Sequence, residues 1–408
     1  MKLTALAVAA ALAPAALSAS AQVAVRAELV HTVSGAVITD GVVIVSGGRI
    51  AAVGPAASTP IPAGHEVLEA AVVTPGLVDA RTVAGLSGIY NGDDQTHDQD
   101  MLERSSPIQP GLRAIDAYNP REPLVEYVRS FGVTTIHVGH APGELVSGQT
   151  MIAKTRGTTV AEAVVKPFFG LAATLSPAAK KGGATSPGTR GKMMAMLREA
   201  LIAAREYASE HAAHDGEGAP PARDLGKEAL AAALAREVPF IVTANRAQDI
   251  AGALRLAAEF DLRLWLDMGA EAYTLIDDLR AAGVPVLLHP TMYRAWGDTK
   301  NLSFTTAARL ADAGIAIAIQ TGFESYVPKV RVLLFEAAIA AAHGLGPARA
   351  LEAITLSPAR MLGIADRVGS LEVGKDGDLA LFDGDPFEYT THCIGVVIEG
   401  EVVSRQRR

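Results

Sequence analysis

The chain has 408 residues, of which 49% are hydrophobic and 20% charged, so it is long enough for one large barrel or two ordinary domains. The formal net charge is −8 and no basic stripe runs along the sequence, which argues against nucleic acid as a partner. Cys393 is the single cysteine, so an intramolecular disulfide and a cluster of thiolate metal ligands are both excluded.

The N-terminal segment, residues 1–21, has the pattern of a secretory signal peptide. Lys2 precedes an apolar run of alanine and leucine, and Ala19-Ser20-Ala21 fits the small-x-small rule for cleavage before Gln22. Pro14 and this ending argue against a buried N-terminal helix. No later stretch reaches the roughly 18–20 apolar residues that a membrane span needs. We therefore expect a secreted, periplasmic protein with no membrane span.

Both ends of the remaining chain contain short apolar runs that are typical of strands. Residues 42–45 and 49–53 are β-branched runs separated by Gly47-Gly48, which predicts a hairpin. Residues 378–382 and 396–403 show the same pattern near the C-terminus. The sequence therefore predicts a small β domain that is formed jointly by the two ends.

The middle of the chain alternates between strand and helix patterns. The predicted strands are 133–138, 240–243, 264–266, 284–288 and 315–319, and the predicted helices are 250–257, 277–282, 307–313 and 332–342. Repeated units of this length indicate a parallel sheet, and their number favours a (β/α)8 TIM-type barrel of the α/β class. The polar stretch 206–222, rich in Gly and Pro, is interpreted as a surface loop or mobile insertion.

Three segments resemble one known family. VVTPGLVDA (72–80), the stretch 238–273 beginning VPFIVTANRAQDI, and AITLSPARMLGIADRVGSLEVGKDGDLALFDGDP (353–386) resemble the amidohydrolase superfamily, in its imidazolonepropionase-like and dipeptidase-like branch. The resemblance implies hydrolysis of C–N bonds (amide, non-peptide or dipeptide) at one or two divalent metals. It also implies a composite β-sandwich from 22–73 and 362–408 around a barrel at 74–361.

The positions where this family carries its metal ligands hold other residues. The family pattern after the first barrel strand is Asp-Ala-His-x-His, whereas this chain has Asp79-Ala80-Arg81-Thr82-Val83. Pattern matching places the later ligands at Thr243, Met268 and Gly322. Arg81 has no lone pair to offer and Val83 has no donor atom. We therefore expect no ordinary metal site and no cofactor, with zinc expected only if the metal site is displaced.

Several other residues are candidates for a ligand pocket or for catalysis. A pocket is predicted to be lined by Arg81, His137, His140, Asn245 and Arg246, because strand ends face the barrel mouth. The catalytic candidates are His289, Glu271 and Asp267. Lys154 and Lys166 are expected to be ordinary lysines, with Asp267 or Glu271 as partners. The acidic run around His97 is either a site for a hard cation or a solvated loop.

Three functions remain open from the sequence. The first is a non-catalytic relative that binds a small molecule or peptide, or that pairs with itself or with a catalytic amidohydrolase. The second is an active hydrolase whose displaced metal site draws on His97, His137, His140 and His289. The third is a metal-free enzyme that uses His289 and Glu271 as acid and base.

Overall fold

The computed structural model describes residues 22–89, 99–182, 186–216, 218–292, 295–323 and 332–408. The predicted signal peptide and His97 lie outside these residues. The strands are β1 (Gln22–Val30), β2 (Ile38–Ser46), β3 (Arg49–Pro55), β4 (Glu66–Pro75), β5 (Leu77–Thr82), β6 (Val133–Gly139), β7 (Val146–Lys154), β8 (Val164–Thr174), β9 (Phe240–Ala244), β10 (Leu264–Met268), β11 (Val286–Leu288), β12 (Ile317–Ile319), β13 (Leu379–Phe382), β14 (Cys393–Ile398) and β15 (Glu401–Ser404).

The α-helices alternate with the later strands of the barrel. They are α1 (Ala114–Ala117), α2 (Pro123–Ser130), α3 (Val160–Ala163), α4 (Arg190–Ala213), α5 (Leu225–Leu234), α6 (Ala247–Phe260), α7 (Ile276–Ala281), α8 (Thr306–Asp312), α9 (Leu333–Ala340), α10 (Pro347–Glu352) and α11 (Leu356–Leu362). A π-helical turn, Ala341–Leu345, continues α9.

The two ends of the described chain form one seven-stranded sheet, in the order β15-β14-β13-β4-β1-β2-β3. The predicted hairpin joins β2 to β3, and both of its glycines have positive φ, 61° at Gly47 and 78° at Gly48. Successive residues of β1 face opposite sides, because side chains alternate along a strand. Val23 and Val25 accordingly join one apolar cluster and Ala24 another. The composite domain that the sequence predicts is confirmed as a sheet, while its boundaries at 73/74 and 361/362 stay a prediction.

The second sheet has eight strands, in the order β12-β11-β10-β9-β8-β7-β6-β5. A backbone hydrogen bond of 3.1 Å from the Gly322 N–H to the Arg81 carbonyl links its two edges, so the sheet closes on itself as a barrel. The predicted TIM-type barrel is thus confirmed, with one departure. Strand β7 runs antiparallel to both neighbours, because the short connection from Gly139 to Val146 permits a hairpin but no parallel crossover.

Most of the elements predicted for the middle of the chain are present, but the interpretation of 206–222 as a loop was wrong in its first half. Helix α4 continues to Ala213, and Tyr207 packs into the core at 9% exposure. The polar residues of 206–213 belong to the outer face of the helix, so only the segment from His214 onward is a loop. Among the described residues, no helix is both long and apolar enough to cross a membrane.

Candidate active site

Arg81 lies at the end of β5, with only 4% of its surface exposed. Its Nη1 donates to the carbonyl oxygens of Thr82 and Gly139, each at 3.0 Å, and its Nη2 donates to the carbonyl of His140. Burial lowers the pKa of the guanidinium, and the carboxylates of Asp267 and Asp79 oppose that effect. Because arginine is not deprotonated in proteins, a fixed cation is held at the end of the first barrel strand.

Asp79 is the nearest acidic residue along the same strand, and it too is buried. Its carboxylate accepts from the Thr321 hydroxyl at 2.5 Å, from the Thr321 N–H at 3.1 Å and from the Arg81 N–H at 3.2 Å. Burial raises the pKa of Asp79 to about 6, with the hydrogen bonds from Thr321 as the main opposing cause. These bonds connect β5 to the segment after β12.

The carboxylate of Asp267, on β10, is likewise hydrogen-bonded to other side chains of the protein. It accepts a hydrogen bond from the hydroxyl of Thr243 and another, of 2.5 Å, from Nε2 of Gln320. Asp267 is only 2% exposed. This catalytic candidate therefore lies inside the barrel and joins β9 to the residue that follows β12 through its two partners.

Gly322, where the pattern places the eighth-strand ligand, leaves no space for a side chain. A Cβ atom there would lie 2.8 Å from Cδ2 of His289 and 3.1 Å from the methyl carbon of Met268. The backbone also has φ +62°, a conformation that glycine adopts most readily. The volume that an aspartate would need at this position is filled by His289 and Met268.

Four of the five matched positions line one small cavity. Arg81, Val83, Met268 and Gly322 surround a volume of about 10 Å³, next to Asp267 and Gln320. That is roughly the room needed by a single water molecule. This small cavity is therefore too small to hold a pair of metal ions.

The residues at these positions do not fit a pair of divalent metal ions. Arg81, Val83 and Gly322 have no side-chain lone pair, Met268 offers only a thioether, and the hydroxyl of Thr243 donates to Asp267. Within the described part of the chain, no group of three or more His, Cys, Asp or Glu residues is arranged to hold a metal ion.

A larger pocket opens above the small cavity at the barrel mouth; we call it the mouth pocket. It has a volume of about 560 Å³, and Met268 and Phe323 line both spaces. Of the predicted ligand-pocket residues, Asn245 and Arg246 line it, as does the catalytic candidate His289. Its other lining residues include Arg104, Pro142, Ser176, Trp296 and Asp298. Arg246 forms an ion pair with Asp298, with Nε and Oδ1 2.9 Å apart.

His137 and His140, predicted for the pocket, are buried beside the strands and are not among the described residues lining either space. The ring of His137 bonds on both sides, with Nδ1 2.7 Å from the Ala80 carbonyl and Nε2 2.8 Å from the Thr150 hydroxyl. Burial lowers the pKa of His137 to about 3 and that of His140 to about 4, with the Arg81 cation as a second cause. A neutral His137 must donate from Nδ1, since a carbonyl only accepts, so its Nε2 accepts from Thr150.

Glu336, on α9, is a residue that the sequence analysis missed. Its Oε2 accepts from the N–H and the hydroxyl of Thr291, at 2.5 and 2.6 Å, and its Oε1 lies 3.7 Å from Nδ1 of His289. The same Nδ1 lies 3.2 Å from the Gln320 carbonyl oxygen. A lone glutamate on the buried face of an apolar helix is the signal that could have indicated it, because a buried carboxylate needs partners.

Glu271, the remaining catalytic candidate, accepts hydrogen bonds at both oxygens. One oxygen accepts from the N–H of Ala247, the first residue of α6, at 2.7 Å, and the other accepts from the Asn301 amide at 2.7 Å. The carboxylate thus satisfies an otherwise unpaired N–H at a helix N-terminus, where negative charge is favourable.

The expectation that Lys154 pairs with Asp267 or Glu271 was wrong. Lys154 is 3% exposed, and its ammonium lies 3.0 Å from Asp376 and 2.5 Å from Asp378. Both carboxylates come from the C-terminal segment, so the lysine joins the barrel to the terminal sheet. The ammonium of Lys166 lies over the ring of Phe169, 5.3 Å from its centre.

Together, this barrel, its terminal sheet and its mouth pocket define an amidohydrolase-type architecture. The Amidohydrolase family model matches residues 305–403. The solved structure of an amidohydrolase from Thermotoga maritima MSB8 superposes with a TM-score of 0.85 at 28% identity, covering 94% of this chain and 100% of that one.

Two curated relatives extend the similarity along the sequence. An imidazolonepropionase of Rhizobium rhizogenes is 26% identical over 388 residues, which cover 88% of this chain and 90% of the relative. The amidohydrolase tasK of Hapsidospora irregularis is 25% identical over 368 residues, 80% of this chain, but the match spans only 36% of that protein. In sequence and in fold the chain is therefore similar to members of the amidohydrolase superfamily, imidazolonepropionases among them.

Proposed function

We propose that this superfamily member has had its ordinary metal ligands replaced and binds a small-molecule or peptide ligand at the barrel mouth, instead of hydrolysing C–N bonds at a metal pair. The observation that carries the proposal is the buried guanidinium of Arg81, held by the carbonyls of Thr82, Gly139 and His140. A divalent cation at this place would meet a like charge in a medium of low dielectric constant, which is strongly unfavourable.

The mouth pocket supports the binding part of the proposal. Its volume of about 560 Å³ lies within the range of sites for small molecules, roughly 300–1,000 Å³. Apolar side chains such as Met268, Trp296 and Phe323 line it together with several polar groups. A pocket of this composition can bind an organic ligand with no contribution from a metal.

The metal content of the purified protein tests the proposal. The protein is incubated with Zn²⁺, Mn²⁺ or Ca²⁺, desalted and measured by elemental mass spectrometry, with carbonic anhydrase carried through the same steps as a zinc-retaining control. We expect less than about a tenth of an equivalent, the order of adventitious binding. Retention of one or two equivalents of Zn²⁺ or Mn²⁺ would establish the displaced metal site instead.

One observation favours a second candidate, a metal-free acid–base enzyme. His289 lines the mouth pocket, and the carboxylate of Glu336 lies 3.7 Å from its Nδ1, a pairing that can orient an imidazole for proton transfer. Such an enzyme would hydrolyse amide substrates in the presence of a chelator, and would lose turnover in His289→Asn and Glu336→Gln. Absence of turnover in the unaltered protein on dipeptides and cyclic amides rejects this candidate.

We also propose that the protein is exported. The support is the sequence pattern of residues 1–21, with its positive start, apolar centre and Ala19-Ser20-Ala21 ending. Expression in a Gram-negative host followed by N-terminal sequencing of the periplasmic fraction is expected to find Gln22 as the first residue. Recovery of the uncleaved chain from the cytoplasm would contradict export.

A further inference from the structure

Two side chains that line the mouth pocket, Arg104 and Asn245, carry hydrogen-bond donors that other described residues do not occupy. Arg104 is exposed at the pocket wall, and its guanidinium has no carboxylate partner within the described ranges. Asn245 accepts from the N–H of Ala270 through Oδ1 at 3.2 Å, which fixes the orientation of its amide. Its Nδ2 therefore carries two N–H donors, and no hydrogen bond to another described residue occupies them.

The acidic group of the same pocket is already neutralised. The carboxylate of Asp298 pairs with Arg246 at 2.9 Å, so it is poorly placed to attract a cationic ligand. Arg104 and Asn245 thus present a cation and a pair of amide N–H donors in the described wall of the pocket. Such groups bind an acceptor, and a charged acceptor most strongly.

Several apolar side chains also line the pocket, and they include an exposed indole. Trp296 is 78% exposed and lines the pocket together with Pro142, Pro290 and Phe323. An exposed tryptophan beside a concave apolar surface is typical of a binding site, because its large ring gains contact area when a ligand covers it.

We propose that the mouth pocket binds a small-molecule carboxylate with an apolar body, with Arg104 and Asn245 binding the carboxylate and Trp296 and Phe323 packing against the apolar part. This inference rests on the proposed binding function and adds the chemical class of the ligand. It assigns the specificity to residues that lie outside the five positions matched to metal ligands.

Tryptophan fluorescence provides the test, because the chain has only two tryptophans and Trp265 is buried in the barrel. The probes are N-benzoylglycine and its neutral counterpart N-benzoylglycinamide, which differ only at the carboxyl group. We expect N-benzoylglycine to change the fluorescence of Trp296 saturably and the amide to bind at least about tenfold more weakly. The variant Trp296→Leu should lose the signal.

Two substitutions and a matched control assign the carboxylate site. Arg104→Ala and Asn245→Asp should each weaken binding of N-benzoylglycine by roughly 10- to 100-fold, the range for a lost charge-assisted hydrogen bond. Asn245→Asp keeps the acceptor for Ala270, so the fold should be unaffected. Arg121→Ala removes an exposed arginine outside the pocket and should bind like the unaltered protein.

Equal affinity for the acid and the amide, or unchanged binding in both Arg104→Ala and Asn245→Asp, would overturn the assignment to carboxylates. If neither probe binds, this inference fails. Neither result depends on retained metal, so the failure of this inference is distinguishable from the failure of the proposed function.

Discussion

The guanidinium of Arg81 donates to the carbonyl oxygen of Gly139 at 3.0 Å, which connects the end of the first barrel strand to the end of the second. A second bond, to the neighbouring His140 carbonyl, continues the connection. In this barrel, a cation supplied by the chain itself holds strand ends that belong to the candidate active site.

Replacing Arg81 should destabilise the barrel. In Arg81→Met the carbonyls of Thr82, Gly139 and His140 lose their donors, and Asp267 loses a nearby positive charge. We expect the free energy of unfolding to fall by about 3–5 kcal/mol, as when one partner of a buried charged pair is removed. Denaturant unfolding measures this. The exposed control Arg121→Met should change stability by less than about 0.5 kcal/mol, and a similarly small loss at Arg81 would contradict the structure.

Adding a methyl group at position 322 should lower the free energy of unfolding by more than the backbone conformation of Gly322 alone explains. Gly322 and Gly283 both have φ +62°, but a Cβ at Gly283 would meet no atom within 4 Å, whereas one at Gly322 would lie 2.8 Å from His289. Gly283→Ala should therefore show only the strain of the left-handed conformation, about 1–2 kcal/mol. Gly322→Ala should lose a further 1–3 kcal/mol through overpacking. Equal losses in the two variants, measured by denaturant unfolding, would show that the site is not filled.

Stability in acid should depend on His137. Because its folded pKa is about 3, below the ordinary 6.5, the unfolded chain takes up a proton near pH 6 while the folded protein does not. The contribution of neutral, buried His137 to the free energy of unfolding is therefore complete above pH 6.5. It is lost as the pH falls towards 3, at about 1.4 kcal/mol per pH unit. His137→Asn should remove this part of the slope of unfolding free energy against pH. His214→Asn, on the loop after α4, serves as the control and should leave the slope unchanged. An unchanged slope in His137→Asn would show that His137 is not the group responsible.

Lys154 should be needed to hold the terminal sheet to the barrel. Lys154→Met leaves the buried carboxylate of Asp378 without its ammonium partner, while Asp376 keeps its ion pairs with Arg49 and Arg367; the change should cost about 3–5 kcal/mol of unfolding free energy. Lys166→Met removes an exposed lysine that contacts Phe169, and should cost less than about 1 kcal/mol. Thermal unfolding of both variants tests the contrast. If the two lose the same stability, the ion pairs to Asp376 and Asp378 do not contribute as described.

Local patterns in the sequence were sufficient for much of the fold. The Gly47-Gly48 hairpin and the helix predicted at 250–257 depend on neighbouring residues, so a short window predicts them; the structure extends that helix to Ala247–Phe260. The end of α4 was missed because polar residues on an exposed helix face resemble a loop in composition. The antiparallel β7 was missed because strand direction depends on pairing with β6 and β8, which a single run of residues does not indicate.

What the sequence determined by itself is the chemistry available at the matched positions: a guanidinium at 81, an isopropyl group at 83 and no side chain at 322. No arrangement of the backbone can turn these groups into metal ligands. Only the tertiary structure decided what they contact. Arg81 donates to the carbonyl of Gly139, which lies 58 residues further along the chain. Lys154 bonds to Asp378 across a separation of 224 residues. Such partners are selected by barrel closure and burial, which act between distant segments and leave no local trace in the sequence.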